Sequence, residues 1–424
     1  MTFPAPDRAE TVFTYGAPQL KFGPGASAEI GHDLSLMNVA RTAVVTDAGL
    51  ASTGLPQRIA EQIEGFGIGC VVFDGVHIEP TDESIAAAVE WARSHGPLDA
   101  FVAVGGGSTI DTAKAMNLLT TNDGEVSDYL NPPIGAGRAP SRPLHPLVAV
   151  PTTTGTGAES TTVCVLDVLS LQVKTGISHP ALRPTLAVVD PELTLTQPAG
   201  VTAAAGMDIL CHALESYTAR PYSAFEAKQP AQRLPYCGAN PISDMWSERA
   251  LELLGRSFRR AVADGADRDA RYDMAVAATF AGLGFGNAGV HIPHANAYPI
   301  AGRVRSFRPA GYPSHEPLVP HGMAVGLTAS EAFRFTFAAN PQRHLRAALL
   351  LTPDASGSDA GVLPDAIAAL MRDIGMPDGL AAVGYADADV PDLVDGSIKQ
   401  QRLLGLSPRP VTEDDLADIF RRSM

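Results

Sequence analysis

Five short runs of β-branched and small apolar residues punctuate the first half of the 424-residue chain: TAVVTD (42–47), GCVVFDG (69–75), DAFVAV (99–104), PLVAVP (146–151) and TLAVVD (185–190). None alternates apolar with polar, so each reads as a strand covered on both faces, the pattern of a parallel sheet. Helical stretches separate the early runs. The clearest, TDESIAAAVEWARSHG (81–96), opens with a Thr cap and an acidic first turn and closes at a glycine. Strand–helix alternation of this kind predicts a Rossmann-like, doubly wound α/β domain. From about residue 199 the pattern turns to long Ala/Leu-rich helices with few β-branched runs. The chain is therefore expected to divide into an α/β domain over 1–198 and an all-helical domain over 199–424. Two loops in the second part, 218–243 and 299–320, are longer than simple connectors, and such loops tend to be functional or disordered.

Charge narrows the partners. A formal net charge of −15 argues against nucleic acid, whose phosphates ask for a basic face. No run of about 18 apolar residues marks a membrane span, and the composition, 45 % hydrophobic and 18 % charged, reads as that of a soluble protein. The opening MTFPAPDRAE has neither the basic and apolar regions of a signal peptide nor the Arg-rich, acid-poor helix of a transit peptide, which predicts a cytoplasmic enzyme. Cys70, Cys164, Cys211 and Cys237 show no C-x-x-C spacing and fit reduced thiols. The expected partner is a small molecule, with no nucleic acid and no membrane.

Two loops suit a dinucleotide. In DAFVAVGGGSTIDTAKAMNLL an apolar strand runs through Gly105, Gly106, Gly107 and Ser108 into a helix. The glycines let the backbone approach a pyrophosphate, and the helix start behind them offers free N–H groups and a positive dipole end. In VAVPTTTGTGAEST (148–161), Thr152, Thr153, Thr154 and Thr156 supply hydroxyls while Gly155 and Gly157 keep the backbone close to a ligand. Asp47 ends the first strand, where an acid can bind a ribose diol and repel a 2′-phosphate, so NAD is expected in preference to NADP.

The second half carries metal chemistry. In AAGMDILCHALESY (204–217), Asp208 and His212 stand four apart on one helical face. Buried without partners they would cost several kcal/mol, so they need an ion pair or a shared cation. AGLGFGNAGVHIPHANAYPI (281–300) adds His291 and His294, and LVPHGMAVGL (318–327) adds His321. Asp208, His212, His294 and His321 would make a carboxylate-plus-three-imidazole set, which suits a first-row divalent metal. Arg303, Arg305 and Arg308, within six positions, read either as a solvated loop or as a carboxylate-binding element.

Taken together, GGGSxxDxxK at 105–114, PTTTGTGAE at 151–159, G-x-D-x-x-x-H at 206–212 and the later His segments resemble the iron-containing (group III) alcohol dehydrogenases. Within that family EPTD (79–82), LCHALESYT (210–218), GANPISDMW (238–246), FGNAGVHIPHANAYPI (285–300), LVPHGMAV (318–325) and DGLAAVGY (378–385) are similar to the hydroxyacid–oxoacid transhydrogenase branch. The resemblance implies metal ligands at Asp208, His212, His294 and His321, with Fe²⁺ or Zn²⁺ as the ion. It implies NAD contacts at Asp47, Gly106, Gly107, Ser108, Thr152, Thr153 and Thr156, with Lys174 a weaker candidate, and a homo-oligomer. Many relatives place a second His four residues after the third ligand; Tyr298 stands there in this chain, so Tyr298 or His291 is the expected proton carrier. The implied reaction passes a hydride from 4-hydroxybutyrate through NAD to 2-oxoglutarate. A conventional NAD-dependent alcohol dehydrogenase or maleylacetate-type reductase is the alternative. Carboxylate substrates bring Arg220, just after the Asp208 helix, into the candidate set with Arg303, Arg305 and Arg308.

Overall fold

The computed structural model describes residues 3–171, 173–233, 235–312 and 317–424. They build two compact units: Ala17–Thr153 with Gly157–Thr194, and Met1–Gly16 with Thr154–Thr156 and Leu195–Met424. The first is the α/β unit. Its strands are β1 (Gln19–Phe22), β2 (Arg41–Val45), β3 (Gly69–Phe73), β4 (Ala100–Gly105), β5 (Leu147–Pro151), β6 (Val163–Val168), β7 (Val173–Ser178) and β8 (Leu186–Val189). Six form a parallel sheet in the order β1-β8-β5-β4-β2-β3, and all five strands expected from the apolar runs lie in it.

Period two explains how these runs are used. Val102 and Val104 of β4 join Val44, Val148, Val150 and Val188 under Leu34, Ile59 and Ile63 on one face. Phe101 and Ala103 join Ala43, Val45, Leu147 and Ala149 under Ala88, Ala92, Ile110 and Met116 on the other. The helix Asp82–Ser94 starts at Thr81, whose hydroxyl accepts the Ser84 N–H at 3.0 Å, while Ser84 returns a bond to the Thr81 N–H at 2.9 Å. Two features escape the sequence pattern. β1 is a four-residue edge strand containing a lysine, and β6 with β7 makes an antiparallel hairpin outside the main sheet.

Sheet order places the functional loops. From β2 the chain goes outward to β3 on one side, then returns to β4 on the other, so the order reverses between β2 and β4. At such a switch point the crevice beyond the strand ends is open to a ligand. Asp47 lies just past β2, and Gly106, Gly107 and Ser108 follow β4 directly.

The second unit is helical: among its described residues no strand is formed. No single helix among the described residues is long and apolar enough to cross a membrane. The helix Ala199–Thr218 runs through the core and is almost wholly buried. Its neighbours come close because the contacts are made by glycine. A Cβ on Gly206 would stand 2.1 Å from Phe258, and one on Gly322, in the helix His321–Leu327, would stand 2.0 Å from the Ala204 carbonyl oxygen. The N-terminal arm belongs to this unit and docks on the 218–243 loop, where Glu10 accepts bonds from the Lys228 N–H (2.9 Å) and Arg233 (3.1 Å). That loop is thus a platform for the arm. Residues 313–316 of the 299–320 loop lie outside the described residues.

Gly206→Ala is expected to lower unfolding stability by about 1–3 kcal/mol, the usual cost of overpacking a filled contact. Urea denaturation would read it as a shifted midpoint at unchanged slope.

Candidate metal centre and dinucleotide cradle

The helix Ala199–Thr218 carries Asp208 and His212 one turn apart, with His212 Nε2 3.5 Å from Asp208 Oδ1. His294, on the helix Ile292–Gly302, brings Nε2 to 3.3 Å of the same oxygen, and His321, first residue of its helix, brings Nε2 to 3.8 Å. One carboxylate oxygen therefore has three imidazoles around it. Ligand atoms of Asp208, His294 and His321 all lie within 4.8 Å of one another, and the His212 ring stacks on His294 at 4.6 Å between centroids. Phe285 lies flat against the other face of His212, with centroids 3.7 Å apart and planes 4° from parallel. Its clamp fixes that ring. Side-chain exposure rises from 2 % at Asp208 through 4 % and 6 % at His212 and His294 to 28 % at His321, so approach to the cluster is past His321.

A residue that the sequence reading missed organises this arrangement. Glu215, wholly buried one turn after His212, accepts His294 Nδ1–H at 2.5 Å and the His291 backbone N–H at 2.5 Å. In the neutral ring the first bond leaves Nε2 of His294 as the lone pair, turned toward Asp208. Positions 208, 212 and 215 share one helical face, which is the signal that would have found it.

Charge explains why a cation fits. Asp208 and Glu215 are two buried carboxylates whose side-chain partners are imidazoles. Burial lowers His294, but Glu215 and Asp208 outweigh it and raise the ring to about 10. His212, mainly through burial, goes down to about 3. Burial would raise Asp208, yet the surrounding imidazoles hold it well below the usual carboxylate range. Positive charge between the acids is thus strongly favoured, and a divalent ion supplies it with all three rings neutral. Asp208 Oδ1 and His294 Nε2 are both buried without a hydrogen-bond partner, as atoms that bind a metal would be.

His291 caps the helix Ile292–Gly302 and is fully buried; its Nε2 meets the Thr218 hydroxyl at 3.1 Å, and burial pushes it down to about 4. Tyr298 is half-buried, one turn after His294 on the same helix. Arg220, Arg303 and Arg305 have partners among other residues. Arg220 lies between the rings of Phe3 (4.0 Å) and Phe225 (4.2 Å) and donates to the Ala224 carbonyl. Arg303 pairs with Asp392 at 3.3 Å, Arg305 with Asp389, and Arg308 is exposed.

In the α/β unit the two expected loops meet. Thr152 N–H donates to the Gly105 carbonyl at 3.0 Å, and a Cβ on Gly106 would stand 3.2 Å from Thr153 Oγ1. Gly106 therefore admits the Thr-rich loop. Gly107 opens the helix Gly107–Thr121, and Ser108 Oγ accepts the Glu79 N–H at 3.2 Å. Thr152 is buried; Thr156, further along the chain, belongs to the helical unit and is partly exposed. Asp47 uses Oδ1 to accept the Leu50 N–H at 2.9 Å, capping a short helix at the switch point. Lys174 is 7 % exposed and held between Glu79 and Asp167. Below the loop, Lys114 is fully buried and bonds Asp111, Thr161 and the Val163 carbonyl, tying the helix to β6. Burial pushes Glu159 up to about 7, against the pull of its own backbone N–H and Lys114.

Comparison with known proteins identifies the chain as an oxidoreductase. The chain belongs to the iron-containing alcohol dehydrogenase family, whose model matches residues 17–191 and whose C-terminal model, Fe-containing alcohol dehydrogenase family, C-terminal, matches residues 234–424. It is similar to the Xenopus laevis protein named hydroxyacid-oxoacid transhydrogenase, mitochondrial: 45 % identical over 430 residues, 99 % of this chain and 93 % of the relative. Among solved structures, 1,3-propanediol oxidoreductase matches with a TM-score of 0.85 at 30 % identity, covering 97 % of this chain and all of that one. Sulfoacetaldehyde reductase from Bifidobacterium kashiwanohense, solved in complex with NAD⁺, matches with a TM-score of 0.81 at 29 % identity, over 97 % and 98 % of the two chains.

These relatives correct the cytoplasmic expectation. Proteins of the transhydrogenase name that match over 97–99 % of the chain, from amphibian, mammal and slime mould, are named mitochondrial. Composition could not decide this, because free thiols report a reducing compartment without saying which one.

Two outcomes are expected. Glu215→Gln should reduce metal affinity about 10–100-fold, as loss of a carboxylate behind a His ligand does; metal analysis after dialysis against a graded chelator series checks it. Glu159→Gln should remove a pH-dependent penalty. A carboxyl raised from 4.5 to about 7 keeps its proton longer in the folded chain, so wild-type stability falls as pH rises through that window. Above pH 7 the variant should be more stable by roughly 1–3 kcal/mol, with no such gain below pH 4.5, in denaturant titrations at both ends.

Proposed function

We propose that this chain is a metal- and NAD-dependent hydroxyacid–oxoacid transhydrogenase. It passes a hydride from 4-hydroxybutyrate to NAD, giving succinic semialdehyde, and then from the retained NADH to 2-oxoglutarate, giving 2-hydroxyglutarate. The observation that carries the metal chemistry is the buried Asp208 oxygen ringed by three imidazoles with no hydrogen-bond partner of its own. Relatives of the transhydrogenase name, matching almost end to end, support the substrate class.

Asp208, His212, His294 and His321 are the ligands in this reading. A divalent ion held by them would supply Lewis acidity that makes the donor hydroxyl easier to deprotonate, and NAD would supply the hydride acceptor. The N₃O donor set suits Fe²⁺ and Zn²⁺ alike, and zinc has the higher intrinsic affinity, so the family's iron would reflect availability. Glu215 orients His294 and braces the start of its helix through the His291 N–H. Gly106, Gly107 and Ser108 take the pyrophosphate, Thr152, Thr153 and Thr156 add hydroxyl contacts, and Asp47 takes the adenosine ribose. Tyr298 OH carries the substrate proton. Its position one turn after His294 and its partial exposure favour it over His291, whose ring is sealed and bonded to Thr218. A conventional dehydrogenase is the second reading, favoured by the reductase and oxidoreductase names of the structural neighbours.

The test uses protein purified without added nucleotide and loaded with Fe²⁺ or Zn²⁺. Conversion of 4-hydroxybutyrate that needs 2-oxoglutarate but no free NAD is expected; turnover with free NAD alone selects the second reading, and silence in both sinks the substrate assignment. His294→Ala should lose bound metal and activity together while keeping its fold, and full metal content in that variant would overturn the ligand set.

A further inference from the structure

Among the described residues only three other than glycine have positive φ: Asn38, Glu79 and Tyr236. Asparagine tolerates the left-handed region; glutamate rarely occupies it, and a residue held there against its preference points to a local demand. Glu79 opens the EPTD stretch (79–82), at φ 58° in the loop between β3 and the helix Asp82–Ser94.

Every group of Glu79 is engaged. Its backbone N–H donates to Ser108 Oγ at 3.2 Å, its carbonyl meets His77 Nδ1 at 3.1 Å, and its carboxylate accepts Lys174 Nζ. Lys174 also donates to Asp167 at 3.1 Å. The rest of EPTD fastens the loop to the β6–β7 hairpin: Pro80 O accepts the Asp167 N–H at 2.8 Å, and Asp82 Oδ1 accepts the Leu169 N–H at 3.3 Å. One ammonium thus answers two carboxylates. With two carboxylates on Lys174, the groups Gly106–Ser108 offers an anion are backbone N–H groups and a hydroxyl, which makes the placement of Ser108 matter.

We propose that Glu79 is a positioning residue of the dinucleotide cradle, which sets the Ser108 hydroxyl through its backbone N–H and is itself locked by Lys174. This rests on the reading of Gly106–Ser108 as the pyrophosphate site. The part of Glu79 is to fix the Ser108 hydroxyl. The strained backbone directs its N–H to Ser108, and the ion pair to Lys174 keeps the strained form from relaxing.

The experiment measures NADH affinity by nicotinamide fluorescence on metal-loaded full-length enzyme stripped of nucleotide, with metal content recorded for each variant. Ser108→Ala is expected to weaken binding about tenfold, as loss of one hydrogen bond to a charged group does. Glu79→Gln should do the same. The double variant should be no weaker than either single one, because both changes remove one interaction. Glu79→Gly keeps the N–H and relieves the backbone, so its equal loss would place the effect in the lock to Lys174. Wild-type affinity in Glu79→Gln or Glu79→Gly, or a double variant about a hundredfold weaker, overturns the inference while leaving the cradle standing. Wild-type affinity in Ser108→Ala overturns the cradle itself, and the inference falls with it.

Discussion

Two carboxylates buried on one helix, Asp208 and Glu215, set the terms for the helical unit. Taking an anion out of water is costly unless a positive charge meets it. Here the neighbours able to do so are rings, and a ring answers a carboxylate only when protonated or bound to a cation. The helical unit is built to bring those rings in. Gly322 lets the His321 helix approach to van der Waals contact, Phe285 flattens His212, and Glu215 turns His294 inward. A divalent ion neutralises both acids without protonating any ring, and that balance makes a metal the natural occupant.

The α/β unit solves its own problem with dipoles. Its strands are covered on both faces, so binding is left to loops at the strand ends, and the reversal of strand order leaves one place there where a ligand is not shut out. Asp47 and the glycine loop stand on either side of it. Gly106 has a double use: it carries an extended turn toward a helix start and leaves room for Thr153. A side chain at that position would push the Thr-rich loop away.

Most of the architecture was legible because burial on both faces leaves a plain mark, an uninterrupted apolar run. β1 and the β6–β7 hairpin left no such mark: QLKF is too short and too polar, and the hairpin's sequence alternates around a lysine and an aspartate, Lys174 and Asp167, that turn out to pair with each other. The four ligand candidates were legible for a similar reason, since imidazoles in Gly-rich apolar settings are conspicuous. Glu215 was written on the same face as Asp208 and His212 but looked like any helix glutamate, its burial being decided by helices far along the chain. For Arg220 and Arg305 it was the partners that the sequence hid. An arginine near a ligand helix suggests a substrate clamp, yet Phe3, Phe225 and Asp389, which engage them, lie at distances in sequence that no local pattern reports.

Lys174 carries the same lesson into function. As a residue type it suggests a cation for phosphate; its ammonium is also the partner of Glu79 and Asp167. Partners, more than identity, decide what an ionisable side chain can do, because in a low-dielectric setting a charge satisfied by one group is largely hidden from the next. The helical unit shows the complementary case. His294 has one nitrogen committed to Glu215 and the other without a hydrogen-bond partner, so the bond behind the ring directs its reactivity to a single atom. In both units an acid outside the expected site bonds a residue inside it: the buried Glu215 through its carboxylate to His294, and the partly exposed Glu79 through its backbone N–H to Ser108.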